Sequence, residues 1–313
     1  MASSTMASRP ARGSRISGGP FGEERPLPWL TPLLLFVAAF YLYPLFDVIR
    51  LSFTNAGAPS DSYSYTTDSF ATVLGSPDFL SMLEVTAIFV GASVVGQWLV
   101  GLAIATILVE GEKRQLPGAA FIRSIVLVGW VLPGVVIGII WKLILDESGA
   151  GFITAILGMF GLKNVPLLSA PLPALTWVII ANVWRGAAFS MLMQYSGMKT
   201  IPGELYEAAT VDGAGFWQQF FFVTLPSLRR VTMINIVLIT IATLNTFDMI
   251  VPLTGGGPGR ATEVIALYIY DVVFTQFSLG RGAAVAVILM LIGVVLTLIY
   301  FRLFLKDEEE EAA

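Results

Sequence analysis

Val85-Thr-Ala-Ile-Phe-Val-Gly-Ala-Ser-Val-Val-Gly-Gln-Trp-Leu-Val-Gly-Leu-Ala-Ile-Ala-Thr-Ile-Leu-Val109 contains no charged residue. A helix needs about 20 apolar residues to cross the hydrocarbon core of a bilayer, and this stretch exceeds that. Lipid offers the backbone no hydrogen-bond partner, so such a run satisfies its own N–H and C=O groups as a helix. The whole chain follows the same composition. Of its 313 residues 56% are hydrophobic and only 13% charged, with a mean hydropathy of +0.78. A soluble chain carries about 25% charged residues. This is a membrane protein.

Outward from Val85–Val109, six apolar runs are predicted to span: about Trp29–Leu51, Met82–Val109, Ala119–Leu145, Pro171–Met198, Pro226–Leu253 and Gly280–Leu305. The expected fold class is an all-α membrane protein with six transmembrane helices. Residues 29–305 form its membrane domain. Residues 1–28, rich in Gly, Ser, Pro and Arg, read as a disordered tail, and 306–313 as an acidic tail. With the N-terminus inside, the inner segments hold twelve Lys and Arg; the outer ones hold only Arg50, Lys142, Lys163, Arg260 and Arg281. That bias places both termini in the cytoplasm. The outer segment 146–170 contains a short apolar helix, Phe152–Phe160, expected to lie flat at the interface.

The chain has no Cys and no His. Disulfides, thiol chemistry, imidazole ligands and His-based proton relays are thereby excluded. No metal site, cofactor or catalytic residue is expected, and no basic face suggests nucleic acid. A phosphate-binding loop is also missing. Gly259-Arg260-Ala261 has Thr254 where the first glycine belongs, and no lysine.

One polar stretch interrupts the cytoplasmic side: Pro202-Gly-Glu-Leu-Tyr-Glu-Ala-Ala-Thr-Val-Asp-Gly213, continuing to Leu225-Pro226. Pro202, Glu204 and Glu207 suit the start of a helix, where the dipole favours acidic residues. Leu205, Ala208, Ala209 and Asp212 fall on one helical face. Gly213 supplies the break, and Phe216–Val223 is a second amphipathic piece. The predicted shape is helix, turn, helix, offered to something outside the bilayer.

Glu207-Ala208-Ala209, Gly213 and Leu225-Pro226 resemble the EAA loop of permease subunits in binding-protein-dependent ABC importers, with Val223 where that family usually has Ile. Thr254-Gly-Gly-Gly-Pro-Gly259 resembles a segment of the carbohydrate-type members. The resemblance covers about residues 30–305 and implies the type I importer permease fold. It also implies that the loop, about 200–226, is a coupling helix, with Glu204, Glu207, Ala208, Ala209, Asp212 and Gly213 meeting an ATPase. The implied partners are a second, homologous permease subunit, two cytoplasmic ATPase subunits, an extracytoplasmic sugar-binding protein, a carbohydrate substrate and membrane lipid. The implied location is the cytoplasmic membrane of a prokaryote. ATP hydrolysis would belong to the partner, and this chain would move by alternating access with its lever delimited by Gly213 and Pro226.

Polar residues within the spans complete the reading. Asn182 and Arg185 lie three apart in the fourth run, as do Asn245 and Asp248 in the fifth. A charge near the bilayer centre costs about 2.5–3.5 kcal/mol on insertion scales, so it should face a cavity or a partner. Asn182, Trp184, Arg185, Asn245, Phe247 and Asp248 are the candidate substrate pathway, with Gln97, Trp130 and Trp141 as further polar and aromatic groups. The same residues also fit a purely structural role, with Arg185 and Asp248 paired and Asn245 bonding a neighbour. A self-contained secondary transporter is the rival class. It would need internal repeats and coupling carboxylates, whereas this chain offers only Asp248. An intramembrane enzyme lacks the necessary side chains.

Overall fold

The computed structural model describes residues 27–57 and 62–312 and is built of helices. The segment 1–28, expected to be disordered, therefore falls almost wholly outside the described residues. Helix α1 (27–52) has side chains exposed from Trp29 to Phe46, and residues up to Val48 form a compact unit separate from the remainder. The larger unit begins at Ile49, with the end of α1, and continues with the short α2 (Asp68–Leu74). Helix α3 (Pro77–Lys113) follows, with 37 residues, or about 55 Å. Ser76 caps it, its hydroxyl accepting the Asp78 N–H at 3.3 Å. Pro77 and Asp78 occupy its first turn and Lys113 its last, each where a helix end favours it.

The third predicted span is not one helix. It divides into α4 (Ala119–Val131) and α5 (Gly134–Ile144), bent by 103°. Leu132 and Pro133 both take extended backbone angles, as the steric demand of proline on its predecessor requires. Each half, at about 1.5 Å per residue, is too short to cross the core alone. Helix α6 (Phe152–Met159) occupies the predicted interfacial piece, and α7 (Pro171–Thr200) is the fourth span.

The predicted helix, turn and helix follow as α8 (Gly203–Val211) and α9 (Phe216–Ser227). Helix α9 is bent by 67° from α10 (Arg229–Leu244), so the fifth span starts at Arg229 rather than Pro226. It also stops early. Residues 245–249 leave the helix before the single turn α11 (Ile250–Leu253). Helix α12 (Ile265–Thr275) was not anticipated. It is too short to span, yet Ile265, Ala266 and Leu267 are buried. Helix α13 (Leu279–Ala312) runs past the predicted end at Leu305. Among the described residues four helices are long and apolar enough to cross a membrane, and the number rises to six when each bent pair is counted as one broken span.

The core lies where α3 and α7 run side by side. Phe89 and Val178 are wholly buried there, as is Met249 from the fifth span. Small residues let the two backbones close. A Cβ on Gly186 would sit 2.1 Å from Gln97 Oε1, and one on Gly101 would sit 2.6 Å from Ser190 Cβ. Membrane helices associate through such close van der Waals packing and through interhelical hydrogen bonds. The bonds run up the face of α10. Thr232 pairs with Gln194 at 3.1 Å, Asn235 donates to Ser190 at 2.8 Å, and Gln97 donates to Thr243 at 3.2 Å.

Candidate functional site

The rung above Thr243 is ionic. Arg185, on α7, donates from Nη1 to Asp248 Oδ1 at 3.0 Å and from Nη2 to Oδ2 at 3.3 Å. Asp248 stands in the break of the fifth span, and the break of the third span meets it there. A Cβ on Gly134 would fall 1.8 Å from Asp248 Oδ2, and one on Gly138 would fall 2.3 Å from the Met249 carbonyl. Only glycine fits at position 134. Two interrupted helices and the arginine of an intact one thus converge on one carboxylate. Interrupted helices placed together are how membrane transporters expose polar backbone at mid-depth without meeting lipid.

Aromatic rings flank this junction. Trp184 meets Trp141 edge-on at 6.3 Å, and Trp141 lies 6.2 Å from Trp177. Trp130 lies 5.8 Å from Phe189. Phe247 stacks on Tyr270 at 5.4 Å. Tyr270, on α12, also lines a cavity of about 640 Å³ with Gly255, Gly256, Arg260, Glu263 and Asp271. That cavity opens beside the triple-glycine loop, not at Arg185.

The two asparagines part company. Asn182 is buried, and its Nδ2 has no hydrogen-bond partner within the described residues. Asn245 is exposed and donates to the Ile241 carbonyl of its own helix at 2.8 Å. Asn245 therefore does not join Asp248 in one contact, although a spacing of three would place the two on one face of a continuous helix, because the helix ends at Leu244.

The triple-glycine loop is closed by its threonines. Thr254 and Thr262 hydroxyls lie 2.8 Å apart, and Thr262 donates to the Gly257 carbonyl at 2.8 Å. Gly255, Gly256 and Gly259 all have positive φ, the conformation that favours glycine. Arg260 pairs with both Asp78 and Glu263, fixing the loop to the start of α3. The hydrogen bond that Arg260 donates to Glu263, foremost, and the Asp78 charge raise the Arg260 pKa further.

At the opposite end of α7, the 200–226 loop has the predicted form. Helix α8 ends in a Schellman motif: Gly213, with φ of +79°, donates to Thr210, and Ala214 donates to Ala209. Glu204, Leu205, Glu207, Ala208, Val211 and Asp212 are exposed. Among the described residues, Glu204, Glu207 and Asp212 make no ion pair. The predicted face of Leu205, Ala208, Ala209 and Asp212 needs one correction. Ala209 turns inward with Tyr206, because Tyr206 is the residue that seats the helix. Its ring lies 4.1 Å from the Lys113 ammonium, and its hydroxyl lies 2.9 Å from Thr224 Oγ1. Sequence reasoning did not single out Tyr206, Lys113 or Gly134; the Leu132-Pro133-Gly134 triplet was the available signal for the last.

Residues 99–305 match the family described as "Binding-protein-dependent transport system inner membrane component". The trehalose/maltose transport system permease protein MalF of Thermococcus litoralis is 34% identical, over 75% of this chain and 77% of that one. The sn-glycerol-3-phosphate transport system permease protein UgpA of Agrobacterium fabrum is 31% identical, over 88% and 94%. The fold resembles a chain in the crystal structure of a bacterial ABC transporter that imports the acidic polysaccharide alginate. That likeness has a TM-score of 0.74 at 21% identity and covers 88% of this chain and 93% of that chain. This chain belongs to the binding-protein-dependent transport system inner membrane component family.

Proposed function

We infer that this chain is one of two permease subunits of an ABC importer that carries a neutral carbohydrate across the cytoplasmic membrane of a prokaryote. Both its termini face the cytoplasm. Helix α8 docks in a groove of a separate ATPase subunit through Glu204, Glu207, Ala208 and Asp212, with Gly213 ending the docking helix. The chain itself hydrolyses nothing. ATP binding and hydrolysis in the partner move α8, and the spans alternate between outward and inward access for a sugar delivered by an extracytoplasmic binding protein. Asn182, Trp184, Arg185, Asn245, Phe247 and Asp248 line the route, completed by the second, homologous subunit.

The observation that carries this reading is the exposed acidic face of α8, unpaired among the described residues, on a chain whose sequence carries no phosphate-binding loop. A free-standing secondary transporter has no use for such a face. The Arg185–Asp248 pair favours a neutral sugar over a phosphorylated one, since the guanidinium already has its carboxylate. Purification of the tagged chain from its native membrane, followed by an ATPase assay with candidate sugars and their binding protein, tests it. Recovery of a second permease and an ATPase stimulated by the loaded binding protein is the expected result. A chain that purifies alone and transports without ATP would sink the reading.

A further inference from the structure

Helix α8 buries no residue completely. Within it only Tyr206 and Ala209 are half-buried, and between its neighbours and α3 lies a cavity of about 40 Å³ bordered by Thr106, Lys113, Met198, Tyr206 and Phe220. The helix is therefore not packed into the bundle; it is hung from it. Tyr206 is the attachment. Its ring receives the Lys113 ammonium at 4.1 Å, a cation–π contact within the usual range. Its hydroxyl meets the buried Thr224 at 2.9 Å. Thr210 and Gln219 close the other side of the loop, Nε2 to Oγ1 at 2.9 Å.

Lys113 is the last residue of α3, and the residue before it is the centre of a second cluster. Glu112 takes Lys199 of α7 at 2.5 Å and the Tyr195 hydroxyl at 2.7 Å. Arg123 of α4 reaches the same hydroxyl at 3.4 Å. Consecutive residues of α3 thus hold the loop on one side and α7 and α4 on the other. Helix α7 carries Arg185, and α4 leads into the break beside Asp248.

We propose that Tyr206 and Lys113 are positioning residues that clasp α8 to the end of α3, and that displacement of α8 reaches the spans through this contact. The proposal rests on the reading of α8 as the ATPase-docking helix. Lys113→Met and Tyr206→Leu open the clasp; Lys113→Arg keeps a cation over the ring, and Tyr206→Phe keeps the ring without the hydroxyl.

Two readouts decide it. Because the chain has no Cys, spin labels on Val211→Cys and Leu116→Cys report the distance between α8 and the end of α3 without background. Lys113→Met and Tyr206→Leu broaden that distribution, and Lys113→Arg restores it. In the assembled importer, Lys113→Met lowers sugar uptake per ATP hydrolysed about five- to tenfold while ATP turnover persists, the effect of losing a modest coupling free energy. Lys113→Arg recovers the ratio. A purely structural role would lower uptake and ATP turnover in proportion. An unchanged distance distribution, or an unchanged uptake-to-ATP ratio, in Lys113→Met overturns the clasp. A wild-type chain that recruits no ATPase overturns the proposed function instead, and is recognised before any variant is compared.

Discussion

Arg185 and Asp248 meet each other inside the bundle, whereas Glu204, Glu207 and Asp212 stand on an exposed face that makes no ion pair among the described residues. Both regions are polar islands in an apolar sequence, but their surroundings set different costs. A charge at membrane depth forfeits about 2.5–3.5 kcal/mol unless it is answered, so the fold brings a break in one span to the arginine of another. An acidic face in water costs little to leave open, and the dipole at the start of α8 supports Glu204 in its first turn. The junction is finished within the molecule. On the proposed function, the loop is finished by another protein.

The largest effect expected from this contrast is functional. Glu207→Lys puts a cation in the middle of the open acidic face and, if α8 docks on an ATPase as proposed, should cut uptake by about a hundredfold by repelling that partner, while the amount of inserted chain stays the same. Normal uptake would remove the distinction between the two regions. Gly134→Ala does the reverse. Its Cβ would collide with the Asp248 carboxylate and should cost about 2 kcal/mol of stability, as overpacking does, read as a lowered melting temperature of the purified chain. Glu207→Lys should leave that temperature alone.

Asp248→Met strands Arg185 and should destabilise by about 1–2 kcal/mol. This is less than for a fully buried pair, because the Arg185 and Asp248 side chains keep 26% and 35% exposure. The double replacement Arg185→Met, Asp248→Met should cost less than Asp248→Met alone. A double variant worse than the single would mean that the pair adds stability outright, not merely mutual satisfaction.

The smallest effect concerns a third kind of charge, satisfied by backbone. Glu147 accepts from the Leu168 and Ser169 N–H groups at 2.6 and 2.8 Å. Burial pushes its pKa up, but those bonds outweigh it and hold the carboxyl below its ordinary 4.5. A lowered pKa in the folded chain means that this tie is complete above that ordinary value and is lost as pH falls through the folded one. Hydrogen exchange at Leu168 and Ser169 should accelerate, relative to neighbouring amides, as the pH falls below 4.5. Constant protection there would refute the tie.

Much of this was written plainly in the sequence. The four unbroken spans follow from composition, and the loop from Pro202, its glutamates and Gly213, because both depend on local properties. The breaks were partly legible: Pro133-Gly134 within an apolar run is a break signal that continuous hydropathy conceals. That Gly134 faces Asp248 was not legible, since nothing local relates residues so distant in the chain. Helix α12 escaped because it is too short to read as a span and is buried by neighbouring elements, which no local feature announces. The inward turn of Ala209 escaped for a similar reason: Tyr206 chooses the seated face through Lys113, a contact between separate elements. Where the fold follows from solvent preference the sequence suffices, and where two segments must find each other it does not.

The helical turn at Phe220–Thr224 has a consequence for how this loop tolerates change. There the Leu225 N–H donates to Phe220, five residues back, forming a π-type turn just before Pro226. The same arrangement precedes Pro44, where Tyr43 donates to Ala38. A proline ring strikes the carbonyl of the preceding turn in a regular helix, and one surplus residue moves that carbonyl aside. The surplus residue also sets a phase. Each residue turns a helix by about 100°, so deleting one from 220–224 would swing everything upstream of it, α8 included, around the axis relative to Leu228. The loop should therefore be forgiving of exchange at Phe221 or Phe222, both exposed, and unforgiving of any change in its length.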